Sequence, residues 1–124
     1  MIDAHCHLDD SRLHLTPDVF SEAVEKAGMT GWICAGVSPA GWARQAQLSH
    51  YSPLIWHTFG LHPWELMSQG DTIDLHVSLE RLHAALEGDL GLSPVGIGET
   101  GLHRNKGEDW MEKERQEASL LAHL

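Results

Sequence analysis

Four short apolar runs alternate with four amphipathic segments, and that alternation most limits the folds open to this chain. The runs at 1–5 (MIDAH), 31–37 (GWICAGV), 54–60 (LIWHTFG) and 94–98 (PVGIG) are too short for core helices and read as buried strands. Between them lie helix signatures. Thr16-Pro17-Asp18 places an N-cap, a first-turn proline and an acid ahead of the stripe Val19, Phe20, Ala23, Val24 and Ala27, and Gly28 suits the C-terminal cap. Ser38-Pro39 opens a second helix running to about His50. Residues 74–87 carry Leu75, Leu79, Leu82 and Leu86 on one face, with Gly88 after them. A polar loop at 103–109 leads to a last helix from Trp110 to the end. The order β-α-β-α-β-α-β-α predicts an α/β domain over 1–124, with parallel strands and right-handed crossovers.

Charge narrows the function. Eight Lys and Arg face 18 Asp and Glu, a net charge of −10, so the surface cannot bind nucleic acid by general phosphate neutralisation. A phosphoester substrate would need a local inversion of the field, for which a bound metal ion is the usual device. No apolar run reaches membrane-spanning length, and the N-terminus lacks the charged and apolar regions of a secretory signal. A cytoplasmic location without membrane contact is therefore expected. Cys6 and Cys34 are too few for a disulfide framework and read as reduced core thiols.

GIGETG at 96–101 matches G-x-G-x-x-G by letter. A dinucleotide site needs a helix opening at the third glycine, so that its N–H groups face the pyrophosphate. Here the glycines begin inside the strand, and LHRNKGED after Gly101 is loop-like. The reading that remains puts Glu99 at the C-terminal end of the fourth strand, with Gly98 and Gly101 letting the backbone pack closely around it. Ligands in α/β folds bind at that end.

His5 and His7 are two residues apart on the first strand and point to one face, with Asp3 before them, while Cys6 points the other way. Two imidazoles near a carboxylate suit Zn²⁺ and similar divalent ions. His62, in GLHPW after the third strand, stands at the same rim, with Pro63 stiffening its loop and Trp64 able to wall a pocket. It is either a site residue or a loop histidine without a role. Arg104 after the fourth strand either pairs with a phosphate or offsets nearby acids. His57 reads as a hydrogen-bonded core residue. His76 and His83 are too far apart on one helix to share an ion. His14, His50 and His123 read as solvated, and Trp32, Trp42, Trp56 and Trp110 as packing.

MIDAHCHLDD, FGLHPW and VGIGETGL, in that order on successive strands, together resemble the TatD-type metal-dependent hydrolases, or TatD DNases, over essentially the whole chain. The resemblance implies an amidohydrolase-like TIM barrel that hydrolyses phosphodiester bonds of DNA with metal-activated water. It implies that His5, His7 and Glu99 bind metal, with Glu99 bridging two divalent ions (Zn, Mg or Mn), and that Glu99 and His62 serve catalysis.

Two features depart from that pattern. His103 stands where the family usually has Asp. A complete barrel takes roughly 250 residues, so this chain supplies a (βα)₄ half without the later histidine and aspartate ligands. A partner is then expected, either a second copy or a complementary C-terminal half. The alternatives are a non-catalytic scaffold that binds metal or a partner, and an amidohydrolase acting on an amide or ester. Half a barrel also leaves two sheet edges and an uncovered inner face, expected to carry Ile2, Ala4, Ile33, Ala35, Ile55, His57, Val95 and Ile97.

Overall fold

Helices begin in this chain where a side chain can accept the first orphan amides. Thr16 Oγ1 accepts from Val19 N at 3.3 Å, Ser38 Oγ from Gly41 N at 3.4 Å, and Asp74 Oδ1 from His76 N and Val77 N at 2.9 and 3.3 Å. These caps open α1 (Pro17–Ala27), α2 (Pro39–Leu48) and α4 (Leu75–Leu86). Gly28 ends α1 in the left-handed conformation, φ 60°, and its N–H donates to Val24 O. A short helix, α3 (Pro63–Met67), follows the third strand where a stiff loop was expected. Pro63 supplies its first residue, a position that needs no N–H. The last helix, α5, is Trp110–Ala122.

In the computed structural model, which describes residues 1–67, 74–103 and 110–124, the strands β1 (Ile2–Cys6), β2 (Gly31–Ala35), β3 (Ile55–Phe59) and β4 (Gly96–Ile97) form one sheet. All pairings are parallel and the order is β1-β2-β3-β4. Sequential order is that of a βα barrel wall; a doubly wound sheet would reverse direction at a switch point. Strand β4 is shorter than its apolar run. Val95 N donates to His57 O at 2.8 Å and Gly98 N to Phe59 O at 2.9 Å, which carries the contact with β3 past both ends.

One face of the sheet holds the core. Phe20, Trp32, Cys34, Leu48 and Ile55 pack between the sheet and α1 and α2. Trp42, Phe59, Leu61, Leu82 and Ala85 pack between the sheet, α2 and α4. Register explains the sharing, since Trp32 lies beside Ile55 and Cys34 beside His57. Burying each of these large side chains contributes about 1.5–3 kcal/mol.

The opposite face is the one a complete barrel would enclose. Ile2 is 52% exposed there, and Ala4 is exposed as well. The expectation fails for Ile55 and His57, which are buried on the helix side. It fails also for Ile97, which pairs in register with the helix-side Phe59, and for Val95, which shares its face by alternation; these two stay 52% and 57% exposed at the sheet edge. The β3 residues on the open face are instead Trp56 and Thr58, both half-buried. Ile33 is half-buried and Ala35 buried. The error is one of parity: LIWHTFG is apolar on both faces, and alternation cannot choose between them.

The histidines divide differently from the sequence reading. His57 is buried, yet neither ring nitrogen makes a hydrogen bond of normal geometry with a described residue. His123 is 8% exposed and not solvated. Its Nδ1–H donates to Ser119 O at 2.6 Å, and Nε2 accepts from Leu61 N at 3.1 Å. His76 and His83 instead pair along α4 with Glu80 and Glu87, at 3.3 and 3.2 Å. Both cysteines are free thiols. Contact with Cys6, then burial, pushes the Cys34 thiol pKa up, so it stays protonated and inert.

Candidate metal centre

The fold brings the strand ends together at one rim. His5 and His7 leave the end of β1, Glu99 follows β4, and His62 lies between β3 and α3. Glu99 is central: His5 Nε2 and His7 Nε2 lie 3.6 and 3.5 Å from Oε2, and His62 Nε2 lies 3.6 Å from Oε1. Ligand atoms of His5, His7 and Glu99 all lie within 4.8 Å of one another. Asp3, on the same strand, stands outside this group and accepts from His5 N at 3.1 Å.

Backbone contacts hold Glu99 in place. Its N–H donates to Gly36 O at 2.6 Å. A Cβ at Gly60 would stand 2.6 Å from Glu99 O and from Gly98 C, so only glycine lets the β3 exit approach so closely. The close approach assigned to Gly98 and Gly101 therefore belongs to Gly60. A Cβ at Gly101 would meet nothing within 4 Å; Gly98 and Gly101 serve the backbone instead, with φ of 156° and 151°.

The hydrogen bonds distinguish the imidazoles. His7 Nδ1 faces Ala35 O at 3.2 Å; a carbonyl only accepts, so Nδ1 carries the proton and Nε2 presents a lone pair toward Glu99. His62 is the reverse. Its Nδ1 accepts from Trp64 N at 3.0 Å, so in the neutral ring Nε2 carries the proton and points as a donor at Glu99 Oε1. Burial pulls the His62 pKa down, which keeps the ring neutral. The geometry thus suits His7 to ligation and His62 to donation.

A cavity of about 380 Å³ opens over these groups, lined by His7, Asp9, Asp10, Arg12, Val37, His62, Trp64 and Glu99. Sequence reasoning singled out neither Asp9, Asp10, Arg12 nor Val37; the signal was the acidic pair closing MIDAHCHLDD. Asp10 caps a short 3-10 turn at Ser11–Leu13, and its carboxylate pairs with Arg12. That pairing holds the Asp10 carboxyl well below the usual carboxylate range. Arg104 lies outside the described residues.

Helix α5 supports the rim from behind. Gln116, buried, accepts from His103 N at 2.7 Å, and His123 accepts from Leu61 N beside His62. His123→Ala leaves the buried Leu61 amide unsatisfied. The expected loss is about 1–3 kcal/mol of stability, read as a lower urea midpoint at unchanged slope. An unchanged midpoint would remove His123 from this role.

The pattern of the TatD-related DNases matches residues 2–124. The chain belongs to that family. A crystal structure of YjjV, a TatD homolog from Escherichia coli K12, superposes with a TM-score of 0.71 at 29% identity, over 99% of this chain and 44% of that one. This TatD-family chain thus spans less than half the length of that relative. No curated protein matches it. Among the described residues, no helix of this TatD-family chain is long and apolar enough to cross a membrane.

Proposed function

We propose that the chain carries the first-half ligands of a divalent-metal site that hydrolyses phosphodiester bonds of DNA. The observation that carries this reading is the convergence of His5, His7 and Glu99, whose ligand atoms fall within 4.8 Å of one another. Two imidazoles and a carboxylate are a donor set for Zn²⁺, Mn²⁺ and similar ions. A divalent ion there would supply Lewis acidity toward a phosphoryl oxygen and acidify water.

The chain's own residues then have distinct tasks. His5, His7 and Glu99 hold the ion. His62 Nε2–H orients the Glu99 carboxylate and can turn to a phosphate oxygen. Electrostatics favours this division: among the described residues lining the cavity, Asp9, Asp10 and Glu99 outnumber Arg12, so they repel an anionic diester until cations balance them. A cytoplasmic location agrees with this function.

Calorimetric titration with Mn²⁺, Zn²⁺ and Mg²⁺ tests the ligand set. The wild-type chain should bind an ion saturably. His5→Ala/His7→Ala should weaken binding by about a hundredfold or more, beyond the 10- to 100-fold that losing an outer-shell partner costs. Affinity should fall on acidification, because imidazole must be neutral to coordinate. Equal affinity in wild type and double variant would refute the assignment. A panel of DNA, amide and ester substrates separates phosphodiester hydrolysis from the amidohydrolase alternative.

A further inference from the structure

Trp64 is 57% exposed, yet it stands in a cavity whose other described lining residues, apart from Val37, are charged side chains and imidazoles. Most aromatic surface of this kind is buried; Trp42 is 2% exposed and Trp32 8%. The indole is also held in place. It is the second residue of α3, and its backbone N–H donates to His62 Nδ1 at 3.0 Å, so one turn carries both residues. His62 and His103 meet the ring with centroids at 4.9 and 5.5 Å and interplanar angles of 67° and 87°. Neither imidazole lies parallel on the indole.

We infer that Trp64 is a stacking platform for the nucleobase next to the scissile phosphate. The inference rests on the phosphodiester reading of the site and adds the part of the substrate that the metal ligands do not touch. A phosphate drawn toward His7, His62 and Glu99 places its neighbouring nucleoside within the same cavity, where Trp64 provides the broad apolar surface. Stacking on an aromatic face tolerates every base and favours unpaired strands, because a base inside a duplex has no free face. The substrate class is therefore a single-stranded or frayed DNA end, held by its base as well as by its phosphate. Among the described residues lining the cavity, Arg12, paired with Asp10, is the permanent cation available to a flanking phosphate.

The test reads binding, so it does not depend on turnover. Phosphorothioate tetranucleotides resist hydrolysis; one carries adenine beside the central linkage and the other is abasic there. Both are titrated with Mn²⁺ present against the wild-type chain, Trp64→Ala and Trp64→Phe. Trp64→Ala should weaken binding of the adenine oligonucleotide by roughly five- to a hundredfold, the range for one base on one aromatic ring. Trp64→Phe should recover most of that loss, and the abasic oligonucleotide should bind all three proteins alike. Equal losses for both oligonucleotides, no loss for either, or no binding of either by the wild type would overturn the inference. Failure of the phosphodiester reading has a separate signature: wild-type protein that, in its self-associated form, binds Mn²⁺ but never cleaves unmodified DNA, whatever the base dependence of binding.

Discussion

Glu99→Gln is expected to abolish saturable divalent-ion binding, with at least a hundredfold loss of affinity. Glu99 is the group on which His5, His7 and His62 converge, at 3.5–3.6 Å. Glutamine keeps the shape but removes the negative charge and turns one ligating oxygen into an N–H donor. The loss should exceed the 10- to 100-fold of an outer-shell change. Ion binding to the native state raises its stability by mass action, so the wild-type melting temperature should rise with added Mn²⁺ and that of Glu99→Gln should not. The fold itself should survive, because the peptide of residue 99 is held by Gly36 O and packed against Gly60, not by its side chain. A metal-dependent rise in the variant equal to that in the wild type would show that the site lies elsewhere.

The 124-residue polypeptide is expected to self-associate and, wherever it remains monomeric, to cleave DNA little or not at all. Among the described residues, β1 and β4 are both sheet edges, with unpaired N–H and C=O groups. Ile2, Val95 and Ile97 add exposed apolar surface nearby. Covering ~300 Å² of such surface contributes roughly 7 kcal/mol. That competes with an association cost of about 4–15 kcal/mol, which predicts weak, concentration-dependent assembly. A two-fold dimer pairing β4 of one copy with β1 of the other would close an eight-stranded ring. It would also bring each Glu99 toward His5 and His7 of the partner copy. A complementary C-terminal half would satisfy the same edges. Sedimentation equilibrium should report a mass above 13.7 kDa that rises with concentration, and Ile97→Lys should shift it down. Three protein ligands suit one ion, whereas a two-metal clamp needs more, which is why cleavage should be weak in the monomer. A monodisperse monomer with slow hydrogen exchange along both β1 and β4, or one that cleaves DNA efficiently, would contradict this.

Sequence by itself determined the elements whose cause is local. Thr16-Pro17, Ser38-Pro39 and Asp74 start their helices because capping needs only the next three residues, and Gly28 ends one because its own φ is positive. The convergence of His5 and His7 was also legible, since strand geometry alone puts alternate side chains on one face. Tertiary structure decided what depends on distant partners. That β3 turns Ile55 and His57 to the helices follows from its register with β2 and the packing of α2, which a run with apolar residues on both faces does not encode. His123 is buried because α5 returns to the Leu61 amide, and Gly60 is glycine because β4 passes against it. The difference between His7 and His62 was invisible in sequence for the same reason. Each tautomer follows from one hydrogen bond, to Ala35 O or from Trp64 N, and only the folded chain brings the ring nitrogens to those groups.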